Sequence, residues 1–339
     1  MVARLAIGVA VLLVVVRAAG SVDVGRAANI IKDAGAWLVL VPLPTLVAMA
    51  LDAEAWRRIL MALGQRRLWR ALLALRLGVE SVVLAVPGGA VAGEAMKLTL
   101  LGRRLAIPLP LAAASLTVTK TLLTAAAAVY LGAAALTFTV GPTAHATSEL
   151  PLILAAVGAG GTALLAVGLL VVVRGGRLTT LFVRGLGWLP VARLRRWLLR
   201  SVQRFRALDT GARLFFQAPL ATRAQCFAMF LLEWLIEGLE TFLILRCVSA
   251  PVTLGQALVL DGVGSLLRSL AFFVPAGLGF QDGAQVFLLR SFGFGDAPTT
   301  GAAFIFIKRT KELFWIVTGA LILTVTRDAW RQRGESSST

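Results

Sequence analysis

The sequence is short of the residues from which soluble enzymes build their sites. It has two cysteines, Cys226 and Cys247, and one histidine, His145, in 339 residues. The cysteines lie 21 positions apart on one predicted helix, about 30 Å at 1.5 Å per residue, far beyond disulfide reach. His145 sits in the loop GPTAHATSE with no cysteine or second histidine nearby, so no metal site is expected, and no cofactor either. Charge is scarce as well: 15% of residues are charged, and acids number 17 against 34 lysines and arginines. No loop carries a D-x-x-D-type acid pair, and the loops are too small to hold a nucleotide-binding domain.

What is present is apolar. Hydrophobic residues make up 58% of the chain, more than a soluble domain can bury. Several runs approach the roughly 20 apolar residues that cross a bilayer, so the chain reads as a polytopic membrane protein. The net charge of +17 would suggest nucleic acid in a soluble protein. Here the arginines cluster between apolar runs, as in loops that face anionic lipid, and no soluble module remains to bind nucleic acid.

The expected architecture is an all-α bundle forming one transmembrane domain over 1–339. Full spans are predicted at about 4–20, 35–53, 111–139, 150–173, 224–248 and 300–326. Ala6 to Val16 is read as an uncleaved first helix rather than a signal peptide. The segment 174–223 carries eleven arginines against one acid, Asp209, which places it in the cytoplasm. It reads either as an amphipathic helix on the inner leaflet or as a solvated helical cap. The loop 140–149 has no lysine or arginine and faces outside, and the arginine-bearing C-terminus faces inside. Arg17, Arg26 and Lys32 oppose this scheme, so the first helix is its weak point.

Two segments, about 71–104 and 255–292, each hold two short apolar arms around a Pro/Gly break. The first must begin and end inside and the second outside, so each is expected to be a re-entrant hairpin. They also match each other at an offset of 188 residues. Val86 falls on Val274, Pro87 on Pro275, Gly89 on Gly277, Glu94 on Asp282, Pro110 on Pro298 and Lys120 on Lys308. Two prolines, a glycine, an acid and a lysine in one register indicate an internal repeat. Opposite faces make it an inverted repeat with units of about 71–139 and 255–326, an arrangement characteristic of transporters. Pro87, Gly88 and Gly89 in one hairpin, and Pro275, Gly277 and Gly279 in the other, would stop one helix and turn the chain. Glu94 and Asp282 follow the turns. They read either as charges suited to a helix N-terminus or as cavity groups.

Charges inside apolar spans are costly and are functional candidates by default. Lys120 and Lys308 would approach the midplane from opposite leaflets. Arg309, Lys311 and Glu312 follow Lys308. Glu80 corresponds to Arg268, and the two could pair across a pseudo-two-fold axis. Glu233, Glu237 and Glu240 share one helical face and are natural partners for the Lys308–Lys311 cluster. The set reads either as a structural ion-pair network or as a cationic cavity for a phosphate-bearing head group, with Arg268 and Arg309 as the preferred anion contacts.

P-x-G-L-G-x-[QR]-[ED], here Pro275 to Asp282, followed by a paired leucine and by [KR]-R-x-[KR]-E, here Lys308 to Glu312, resembles the lysylphosphatidylglycerol synthase transmembrane region, a family of flippase-like membrane proteins. Upstream, Pro87, Gly93, Glu94 and Lys97 resemble that family's first hairpin, and the hairpin's shape is closest to the hopanoid-associated branch. The resemblance covers about 5–326. It implies a multi-pass protein of a bacterial or archaeal cytoplasmic membrane that moves an anionic phospholipid or a polyprenyl- or isoprenoid-linked lipid between leaflets. Family members often carry an acid where Lys120 stands, which puts a shared substrate in doubt, and usually glutamate where Asp282 stands. The chain has no soluble aminoacyl-transferase domain before Thr339, so a complete lipid-aminoacylating enzyme is not expected. Membrane lipids with anionic head groups are the expected partners. Two alternatives remain: a glycosyl- or phosphate-transferase acting on a lipid carrier, and a non-transporting scaffold for a lipid-modifying enzyme, docked through 174–223.

Overall fold

A computed structural model describes residues 23–140, 213–270, 274, 279–294 and 296–335. The expected helix at 4–20, the outer loop after residue 140, the span at 150–173 and most of the basic segment lie outside the described residues, as do Pro275 and Gly277. Among the described residues all regular structure is helical. The helices are α1 (Val24–Ala34), α2 (Pro42–Ala62), α3 (Trp69–Ala85), α4 (Gly89–Leu105), α5 (Leu109–Val140), α6 (Leu220–Cys247), α7 (Leu254–Leu270), α8 (Phe280–Ser291) and α9 (Ala297–Glu335). A 3₁₀ turn, Gly35–Leu40, leads into α2.

Two stretches, Trp37–Ala62 and Leu109–Ala134, are long and apolar enough to cross a bilayer. They match two of the expected spans. The first runs nine residues past the expected end at 53. Arg57 and Arg58 do not stop it, because both pair with Glu54 on the preceding turn. Around them Trp56, Ile59 and Leu60 are buried and bind the turn to the core. Helices α6 and α9 occupy the places of two further expected spans, but each carries ionisable residues along its length. Helix α9 also continues to Glu335, beyond the expected end at 326. Cys226 and Cys247 both lie on α6 as free thiols.

In each of the two expected hairpin segments, two short helices pack on each other. In the first, α3 stops at Ala85, Val86-Pro87-Gly88 makes the turn, and Gly89 donates its backbone N–H to Val86 at 2.8 Å. Gly88 sits in the left-handed region, at φ 69°, where only glycine is at ease. A Cβ on Gly89 would lie 2.2 Å from the Val83 carbonyl oxygen, so the turn closes only with glycine there. In the second, α7 ends at Leu270 and α8 begins after Gly279, which has φ 82°.

The hairpin arms pack on the long helices. Helix α3 lies along α9, α7 lies along α5, and α2 lies along α6 at the centre. Each arm also packs on its hairpin partner, α3 on α4 and α7 on α8. The α3–α9 crossing is close because both sides use glycine. A Cβ on Gly319 would fall 2.5 Å from the Leu77 carbonyl, and one on Gly78 would strike Leu323. Small residues that let backbones approach are the usual device for packing apolar helices where lipid is as greasy as the side chains.

Candidate functional site

Inside this apolar bundle the ionisable side chains gather in two clusters, one at each hairpin. In the first, Arg76 of α3 bridges Asp52 of α2, at 2.5 Å, and Glu80 one turn further along α3. Glu94 of α4 receives Lys97 from its own helix at 3.1 Å and Lys120 from α5 at 2.9 Å. The Lys97 ammonium also lies 5.8 Å above the ring of Trp56, whose indole N–H donates to Ser115 at 3.2 Å.

The second cluster surrounds α9. Arg309 donates to Asp282 of α8 at 2.6 Å and to Glu312 at 2.5 Å. Arg268 of α7 reaches Glu312 at 3.8 Å, and its Nε donates to Gln281 at 2.9 Å. Lys308 lies 3.5 Å from Asp261 of α7, whose other oxygen accepts from Tyr130 of α5 at 3.3 Å. Thr241 donates to Asp261 at 2.9 Å. Lys311 pairs with Glu240 of α6, which also accepts from Thr45 of α2 at 2.6 Å. These pairings offset the penalty of withdrawing charge from water, which an isolated ion at this depth would meet in full.

Several expectations need correcting. Glu80 and Arg268 do not pair with each other: Glu80 takes Arg76, four residues away on the same helix face, and Arg268 turns to Gln281 and Glu312. Of the three glutamates on α6, Glu240 alone forms an ion pair with the Lys308–Lys311 cluster. Glu233 is buried, and its Oε2 has no hydrogen-bond partner among the described residues. Glu94 does not stand in the first turn of α4. That turn holds no acid, and Glu94 is free to bind Lys97 and Lys120. Asp282 does stand in the first turn of α8. There one oxygen accepts the Gly279 N–H at 3.0 Å while the other holds Arg309, so it both caps a helix and joins the cluster.

The sequence reading missed Asp52, Arg76, Asp261 and Tyr130. A signal existed for Asp52: the same offset of 188 places it on Glu240, and each acid holds a cation of a neighbouring helix. Arg76 and Asp261 fall on Gly264 and Leu73 under that offset, so the repeat carries no trace of them.

A family profile described as lysylphosphatidylglycerol synthase TM region matches residues 1–318. The chain belongs to this family. It is therefore a transmembrane protein of a family tied by name to lipid modification. No curated protein and no solved structure gives a significant match. Within this member of the lysylphosphatidylglycerol synthase TM region family, the clusters differ in how completely their cations are committed. Arg309 is held by two carboxylates and its side chain is 19% exposed. Arg268 has one long contact to a carboxylate and is 38% exposed, and Lys120 is 50% exposed. Arg268 and Lys120 are thus the most exposed cations of the two clusters.

Proposed function

We propose that the protein is a lipid translocator that moves an anionic phospholipid or a polyprenyl- or isoprenoid-linked lipid between leaflets of the cytoplasmic membrane. The observation that carries this reading is the pair of ionic clusters inside an apolar bundle. Each joins a short hairpin arm to a long helix, and each leaves one cation, Lys120 or Arg268, partly open. A phosphate head group crossing the bilayer needs cations along its path, since an unpaired charge in hydrocarbon is costly. Arginine suits the planar face of a phosphate and lysine acts as a point charge.

The contact pattern supports an inverted repeat. Exchanging α2 with α6, α3 with α7, α4 with α8 and α5 with α9 turns α3–α9 into α7–α5, α2–α3 into α6–α7, and α4–α5 into α8–α9. The α2–α6 contact maps onto itself, as an element on a pseudo-two-fold axis must. The correspondence is incomplete, because α5 packs broadly on α6 while α9 only touches α2. Rocking one unit against the other around such an axis would present the clusters to each leaflet in turn.

Purified protein in liposomes should speed leaflet exchange of a fluorescent phosphatidylglycerol over that in empty liposomes. Arg268→Gln and Lys120→Gln should each slow it by about ten-fold, the order expected for one charge-assisted hydrogen bond. Normal exchange in both variants, with unchanged folding, overturns the assignment of these cations.

A further inference from the structure

Beside the first cluster, but separate from it, a groove of about 400 Å³ runs along the outer side of the α3–α9 pair. Leu73 and Leu77 of α3 form one wall, and Leu321 and Val325 of α9 the other, each pair one helical turn apart. The groove is not closed over: Leu321 is 59% and Val325 70% exposed. Arg70 and Thr326 close one end. The Thr326 hydroxyl accepts from Arg104 at 2.9 Å and donates its own hydrogen to the backbone of α9. Arg70 is exposed, with no carboxylate among the described residues within ion-pair distance.

We propose that this groove binds one acyl chain of an anionic phospholipid, with the phosphate held between Arg70 and Arg104. Two features select this occupant. The walls offer almost no hydrogen-bonding atoms, so a peptide backbone laid there would lose its water without compensation, whereas an alkyl chain loses nothing. Positive charge stands at one end of the trough only, which matches a molecule with an apolar body and one anionic end. At 100° per residue, Arg76 lies about a sixth of a turn around α3 from Leu73, and Glu80 the same from Leu77. A lipid seated in the groove therefore waits beside the first cluster, against the helix that carries Arg76. The groove makes no use of the central cations, so it stands whether or not the protein translocates lipid.

The test uses the full chain in detergent and native mass spectrometry, with dipalmitoyl phosphatidylglycerol as probe, dipalmitoyl phosphatidylcholine as control and glycerol phosphate as the head group alone. All measurements are made in a background carrying both Arg268→Gln and Lys120→Gln, so that lipid held at either cluster does not mask the groove. The phosphatidylglycerol should be retained at least about five-fold better than the phosphatidylcholine, the scale of one surface arginine acting on an anionic lipid. Arg70→Gln should remove most of that preference, and Arg70→Gln with Arg104→Gln all of it. Val325→Trp, which fills the trough from an exposed position, should reduce retention of both lipids. A preference that survives loss of both arginines overturns the proposal, and so does retention unaffected by Val325→Trp. Competition by glycerol phosphate as strong as by the whole lipid also overturns it, because the acyl chain would then contribute nothing. Thermal unfolding of each variant checks that it is folded, and Arg70→Gln alone, at an exposed residue, keeps the test decisive if the Arg104 change destabilises. Failed leaflet exchange with intact groove binding counts against translocation alone.

Discussion

At Asp282 one carboxylate oxygen caps α8 and the other holds Arg309, which in turn holds Glu312. Removing Arg309 leaves Asp282 without its cation and Glu312 with only the long contact to Arg268, in an apolar setting. Arg309→Gln should therefore destabilise the fold by about 3–5 kcal/mol, the cost of breaking a buried pair from one side. Thermal unfolding in detergent would register this as a clear loss. Arg268→Gln should leave the unfolding temperature nearly unchanged, since its side chain is partly open and its carboxylate contact long. Equal losses in the two variants would contradict this division between a cation that holds the structure and one left for an anion.

At the scale of elements, the hairpins depend on glycine at two kinds of place, turns and crossings. Gly319→Val would push α9 off the backbone of α3 at Leu77 and Ser81, at a cost of about 1–3 kcal/mol for overpacking. Gly283→Ala, on α8 with open space around its Cα, should be neutral or slightly stabilising. The comparison reads packing against intrinsic helix preference, and a neutral Gly319→Val would mean that α3 and α9 do not cross where glycine meets backbone. The same helix pair lines the proposed acyl groove, so Gly319→Val should also weaken lipid retention.

At the scale of the whole molecule, an inverted repeat places the connection before α3 and the connection before α7 on opposite faces. Leu68 and Pro251 are exposed residues in those two connections. In a background with Cys226 and Cys247 changed to alanine, Leu68→Cys should react with an impermeant thiol reagent from one side of the membrane and Pro251→Cys from the other. Labelling of both from one side would remove the inverted arrangement. It would leave the ionic clusters standing but take away the symmetry by which the proposed translocator would serve both leaflets.

The membrane class, the positions of both hairpins and most of the long helices were legible in the sequence. Bilayer thickness sets helix length, and proline and glycine mark breaks through backbone chemistry that does not depend on partners. The hairpin boundaries expected at 71–104 and 255–292 lie within a few residues of those observed. The repeat also brought Glu94, Asp282, Lys120 and Lys308 into view, because corresponding elements kept corresponding charges. Apart from Glu240 with Lys311, pairing was not legible. Whether Glu80 meets Arg268 or Arg76, and whether Asp261 or Glu237 answers Lys308, depends on which faces of separate helices are pressed together. Spacing along one helix specifies a face but not what lies opposite it. Burial then decides between the candidates, because each charge inside the bundle must find a partner within about 4 Å or lose the free energy of its hydration.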